Sequence, residues 1–110
     1  MNNTDIHEIL KKYWGYNSFR ELQEEIITSI LNGYDTLGLL PTGGGKSITF
    51  QVPTLAIEGM AIIVTPIISL MKDQVDNLVA RGIKATYIHS GLSIGEIRRT
   101  LDKCTFGKYK

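Results

Sequence analysis

Apolar residues recur at helical spacing over the first third of the chain. Ile6, Ile9, Leu10 and Tyr13 share one face of a stretch that opens with Asp5 and Glu8 and stops at Gly15. Leu22, Ile26, Ile27, Ile30 and Leu31 repeat that spacing behind a Ser18-x-x-Glu21 capping-box pattern, and Asn32-Gly33 closes it. The period then changes. Residues 36–40 form a short apolar run that reads as a buried strand, and 46–56 reads as a helix in which Pro53 predicts a kink or an early end. Residues 60–65 are the clearest strand, β-branched and apolar between Gly59 and Pro66. Such unbroken apolarity predicts that both faces are covered, as in a parallel sheet. Residues 69–81 read as a helix with Leu70, Val75, Leu78 and Val79 as its stripe and Gly82 as its stop. A third strand is expected at 84–88, and Ser93 with Glu96 opens a last helix that runs to about Asp102. The tail, 105–110, heads toward a further strand. The order ααβαβαβα predicts an α/β fold: a parallel sheet flanked by helices and preceded by two N-terminal helices.

Composition narrows the setting. With 110 residues, 43% hydrophobic and 21% charged, the chain has one domain's length and enough apolar content to rule out disorder. No apolar run approaches the roughly 20 residues that cross a bilayer. Residues 1–8 are polar and lack a basic-then-apolar leader, so a cytoplasmic chain without a membrane partner is expected. Cys104 is the single cysteine, which excludes an internal disulfide, and His7 and His89 are too few to build a zinc cluster with it. Net charge is +1 but unevenly placed: residues 1–58 carry four Lys/Arg against seven Asp/Glu, and 59–110 carry eight against four. A basic second half permits a polyanion partner without demanding one.

The chemistry concentrates at Leu40-Pro41-Thr42-Gly43-Gly44-Gly45-Lys46-Ser47, between an expected strand and an expected helix. Glycines let the backbone curl so that successive N–H groups face an anion, and the following helix adds its positive end. In such a loop Lys46 reaches the β- and γ-phosphates and the Ser47 hydroxyl holds Mg²⁺. The strict Gly-x4-Gly-Lys-[Ser/Thr] pattern fails at its first position, where Leu40 stands. A bare Gly-Lys-[Ser/Thr] arises by chance in roughly one such chain in twenty, and Thr42 with Gly43 at their places lowers that by about two orders of magnitude. Phosphate binding is therefore preferred over a plain glycine-rich turn.

Three blocks in order carry a resemblance: Tyr16-Asn17-Ser18-Phe19-Arg20-Glu21-Leu22-Gln23, then Pro41 to Ser47, then Thr65-Pro66-Ile67-Ile68-Ser69-Leu70-Met71-Lys72-Asp73-Gln74. From about Tyr13 onward the chain resembles RecQ-type DNA helicases of helicase superfamily 2, whose loop tolerates a non-glycine at the position of Leu40. The resemblance implies a RecA-like P-loop domain that binds ATP with Mg²⁺ and acts on single-stranded or partly duplex DNA in recombination and repair. It casts Gln23 as the amide that reads adenine, a task that its paired donor and acceptor suit. Tyr16 would stack on the base and Arg20 would support the pocket, while Pro41, Thr42, Gly43, Gly44, Gly45, Lys46 and Ser47 would hold the phosphates. Ser69 and Lys72 would meet DNA phosphates. His89-Ser90 is a further DNA-side candidate, with a plain loop histidine as the alternative. Arg98, Arg99, Lys103, Lys108 and Lys110 make a basic end that reads as solvated surface. Trp14 is expected to pack the first two helices and Cys104 to be buried or half-buried.

The family's Asp-Glu-x-His motif, arginine finger and second RecA-like domain do not occur in these residues. The expected assignment is thus the N-terminal portion of the first helicase domain over 1–110, with the remaining helicase domains needed for activity. Phosphoryl transfer is almost wholly positioning and charge stabilisation, so the chain by itself is expected to bind nucleotide weakly without turning it over. Two other classes stand beside this one: a non-catalytic regulatory or partner-binding fragment, and a different P-loop NTPase.

Overall fold

The computed structural model describes residues 5–40 and 45–110. They form five helices: α1 (Ile6–Trp14), α2 (Gln23–Leu31), α3 (Ile48–Ala56), α4 (Ile68–Ala80) and α5 (Ile94–Thr105). The chain divides into two compact units, Met1–Glu58 with α1 to α3 and Gly59–Lys110 with α4 and α5.

The helix ends follow local chemistry. Asp5 caps α1 by accepting the His7 N–H, and Gly15 ends it at φ +77°, donating to the carbonyls of Leu10 and Lys11. Ser93 and Glu96 form the full reciprocal capping box on α5, which runs on to Thr105. The second helix departs from its expected start. Ser18 does not cap it; residues 20–22 turn first, with the Gln23 N–H bonded to the Arg20 carbonyl, and Leu22 takes the N-cap at φ +70°. In α3 the helix continues for three residues past Pro53, and the Thr54 hydroxyl bonds the Phe50 carbonyl at 2.7 Å across the proline. Pro53 itself is among the most enclosed side chains.

The expected parallel sheet is not found. Among the described residues no strand is formed, and 36–40, 60–65 and 84–88 are single extended segments. An apolar, β-branched run favours extended backbone, but a strand exists only when a neighbour completes its hydrogen bonds. Here Leu37, Leu39, Ile62 and Val64 are 77–92% exposed, so the faces that apolarity marked for burial are open. The chain's own cross-links are sparse: the Lys110 N–H donates to the Lys84 carbonyl and the Ala61 N–H to the Lys110 carbonyl, both at 2.8 Å. Together with the Lys110 Nζ bond to the Gly59 carbonyl at 2.8 Å, those bonds tie three pieces of chain together around Lys110. The α/β reading is therefore replaced by helices joined by extended segments.

The core lies in the first unit. Ile9 and Leu10 of α1, Ile27 of α2 and Val52 of α3 are buried together, with Trp14, Phe19, Leu31, Ile48 and Leu55 packed against them. The extended segment after α2 is drawn onto that helix by a Ser29–Thr36 hydroxyl bond of 2.8 Å. Gly38 lies so close that a Cβ there would stand 2.9 Å from Ile26 Cδ1. In the second unit Ile83 is the buried apolar residue among those described, and Cys104 is half-buried.

Candidate functional site

Gln23 opens α2 with its side chain turned back rather than out. It is 2% exposed, an unusual degree of burial for an amide. Its Oε1 accepts the Arg20 N–H at 2.7 Å, and its Nε2 donates to the Gly45 carbonyl at 3.0 Å. Both ends of the amide are thus bonded, which is what permits the burial. The left-handed turn at Leu22 delivers this geometry, because it swings the first residue of α2 back over Arg20. A leucine at φ +70° costs about 1–2 kcal/mol relative to ordinary backbone. Strain of that kind persists only where the surroundings hold it.

Gly45 completes the contact. It sits at φ +74°, and a Cβ built on it would lie 2.3 Å from Gln23 Nε2 and 4.0 Å from Arg20 Cδ. Conformation and space therefore both demand glycine at this position. Lys46 follows, exposed, with its carbonyl accepting the Thr49 N–H and the Thr49 hydroxyl. The Ser47 carbonyl accepts from Phe50 and Gln51, while its hydroxyl makes no capping bond to α3. Lys46 and Ser47 thus follow directly on the glycine that the Gln23 amide holds, just ahead of α3. Tyr16, on the turn between α1 and α2, is half exposed. Pro41, Thr42, Gly43 and Gly44 lie outside the described residues.

The block expected to meet DNA belongs to the second unit. Ser69 is exposed in the first turn of α4. Lys72 is paired along the same helix with Asp76 at 3.0 Å. The hydrogen bond and the charge of Asp76 hold the Lys72 ammonium above its usual pKa, so this cation is occupied by a neighbouring carboxylate. His89 is fixed locally: its Nδ1 accepts the Gly91 N–H at 3.0 Å and its ring stacks on Tyr87 at 5.6 Å. The first and second sequence blocks thus meet at Gln23 and Gly45 within one unit, and the third block belongs to the other.

Two features had no sequence signal strong enough to find them. A leucine carries nothing that announces a left-handed turn. His7, expected only as an insufficient metal ligand, instead reaches Glu24 on α2 at 2.8 Å and meets Phe19 edge-on at 5.0 Å. A three-block order that carries a glutamine ahead of a glycine-rich turn is a whole-sequence signal, and it can be compared directly with known proteins. The family model for DEAD/DEAH box helicases matches residues 20–107. The chain belongs to the DEAD/DEAH box helicase family. Within it, the chain is 43% identical over 102 residues to the ATP-dependent DNA helicase RecQ of Haemophilus influenzae, covering 93% of this chain and 16% of that protein. It is 47% identical over 103 residues to the RecQ helicase of Bacillus subtilis, covering 93% of this chain and 17% of that one. The probable ATP-dependent DNA helicase RecS of Bacillus subtilis is 49% identical over 81 residues, which are 74% of this chain and 16% of that protein. The RecQ-type resemblance is borne out. This helicase-family chain spans about one sixth of the length of the relatives it matches.

Proposed function

We propose that this chain is the adenine-nucleotide-binding segment of an ATP-dependent DNA helicase. The observation that carries the reading is the Gln23 amide, hydrogen-bonded at once to the Arg20 N–H and to the Gly45 carbonyl. It links a purine-reading block to a phosphate-binding block with no intermediary. The paired donor and acceptor of the Gln23 amide then meet the N6 and N7 edge of adenine, with the Arg20 and Gly45 contacts setting where that amide lies. Tyr16 covers the ring, Arg20 supports the pocket, and residues 41–45 bind the phosphates. Lys46 neutralises the β- and γ-phosphates and the Ser47 hydroxyl, which makes no cap bond, suits a Mg²⁺ ion. Ser69 and Lys72 meet the backbone of single-stranded DNA, with Lys72 leaving Asp76 to do so. A cytoplasmic setting follows from DNA as the partner. Turnover and unwinding belong to a longer assembly, since the acidic and arginine groups that complete phosphoryl transfer are not among these residues.

Calorimetric titration with Mg·ADP tests the assignment. Lys46→Ala abolishes saturable binding, and Gln23→Ala equalises the affinities for ADP and GDP. An affinity unchanged in the Lys46 variant removes the phosphate assignment. For DNA, Lys72→Ala weakens single-strand binding equally across sequences, and binding in the parent chain falls steeply with salt. Binding that persists at high salt contradicts the backbone-contact reading.

A further inference from the structure

His7 lies in the first turn of α1 and reaches away from its own helix. Its Nε2 stands 2.8 Å from Glu24 Oε1 on α2. Its ring meets Phe19 at a centroid distance of 5.0 Å and an interplanar angle of 62°. The His7 N–H is itself held at 2.8 Å by Asp5 Oδ1, so the helix cap fixes the backbone that carries the ring. Within Met1–Glu58 the helix pairs that pack are α2 with α3 and α1 with α3. The His7–Glu24 pair supplies a direct link along the third side, between α1 and α2. Its two contacts fall on either side of the turn that matters: Phe19 precedes Arg20, and Glu24 follows Gln23.

We infer that His7 is a positioning residue for the nucleotide pocket, bracing the 19–24 turn through Phe19 and Glu24 so that the Gln23 amide stays aimed at Gly45. The inference rests on the nucleotide-binding reading above and adds a residue to it. Both side chains of the His7–Glu24 pair are about half exposed, which keeps the effect small. An exposed pair of this kind changes an equilibrium by about two- to five-fold.

The test is Mg·ADP affinity of the 110-residue chain, His7→Ala, His7→Gln, Lys46→Ala, Gln23→Ala and the His7→Ala/Gln23→Ala double variant. The expected result is that His7→Ala weakens binding by about two- to five-fold and that His7→Gln, which keeps a hydrogen-bonding side chain toward Glu24, retains parent-like affinity. In the Gln23→Ala background the His7 substitution has no further effect, because the residue it positions is gone. An affinity unchanged in His7→Ala, or a loss of the same size with and without Gln23, overturns the inference; if Lys46→Ala still abolishes binding, the nucleotide reading survives. No saturable ADP binding by the parent chain overturns both. Should His7→Ala fail to fold by circular dichroism, Glu24→Ala, which removes the same pair from the α2 side, takes its place in the comparison.

Discussion

A buried amide is tolerated only when every donor and acceptor it offers has an answer, and Gln23 meets that condition by joining two distant pieces of chain. Its dependence on Gly45 makes the glycine the sharper point of failure. Gly45→Ala forces a side chain into a left-handed residue and sets a carbon against Gln23 Nε2. The expected cost is about 1–2 kcal/mol from backbone conformation, with a similar sum for a buried amide left partly unbonded. Urea unfolding of the variant reads that loss directly. Mg·ADP titration should show binding lowered by about two- to tenfold, since one hydrogen bond that positions the amide is worth about 0.5–1.5 kcal/mol. A variant as stable as the parent would mean that Gln23 does not depend on Gly45.

At the level of elements, the ends of the helices were the most legible part of the sequence. Asp5, Gly15, Ser93 and Glu96 act within one turn of themselves, so local pattern suffices to place them. In the α5 box the Ser93 N–H donates to Glu96 Oε1 at 3.3 Å and the Glu96 N–H to the Ser93 hydroxyl at 3.1 Å. The bond from the Ser93 backbone, then that from its hydroxyl, holds the Glu96 carboxyl below its ordinary value of 4.5. A carboxylate with a lowered folded-state pKa contributes fully above its ordinary value and loses that contribution as pH falls through the lowered one. Helix content followed by circular dichroism should therefore drop more on acidification in the parent chain than in Glu96→Gln. Replacing the cap hydroxyl in Ser93→Ala costs about 1 kcal/mol near neutral pH. Strands were the illegible part. Residues 60–65 carry every local sign of a strand, but pairing is a property of two segments, and nothing in one of them states where its partner lies. The start of α2 failed for a related reason, because the turn at Leu22 is set by where Gln23 must reach rather than by Ser18 and Glu21. Gln23 and the glycine-rich run were legible as candidates, whereas the bond from Gln23 to Gly45 required the fold.

Over the whole molecule, charge and burial divide at the same place. The first unit holds the four-residue core and an excess of three acidic groups, seven against four. The second holds an excess of four basic groups, eight against four, with Ile83 as its buried apolar residue among those described. Stability follows buried apolar area, so local opening should be far easier after Glu58 than before it. Amide hydrogen exchange read by mass spectrometry should show slow exchange confined to α1, α2 and α3. Exchange in α4 and α5 should be close to that of an unprotected chain. Equal protection in both units would show that Gly59–Lys110 is stabilised by more than its own burial.

The open stretch Met60-Ala61-Ile62-Ile63-Val64-Thr65 has a consequence for how this protein behaves on storage. It combines six uncharged residues, four of them β-branched and consecutive, with no proline and with Ile62 and Val64 at 80% and 92% exposure. Segments of this composition stack in register into cross-β fibrils once a nucleus forms. Concentrated solutions should accordingly remain clear through a lag and then gain thioflavin fluorescence, with preformed seeds abolishing the lag. Ile63→Lys, placing a repelling charge in every layer of the stack, should lengthen that lag while leaving α1, α2 and α3 as they are.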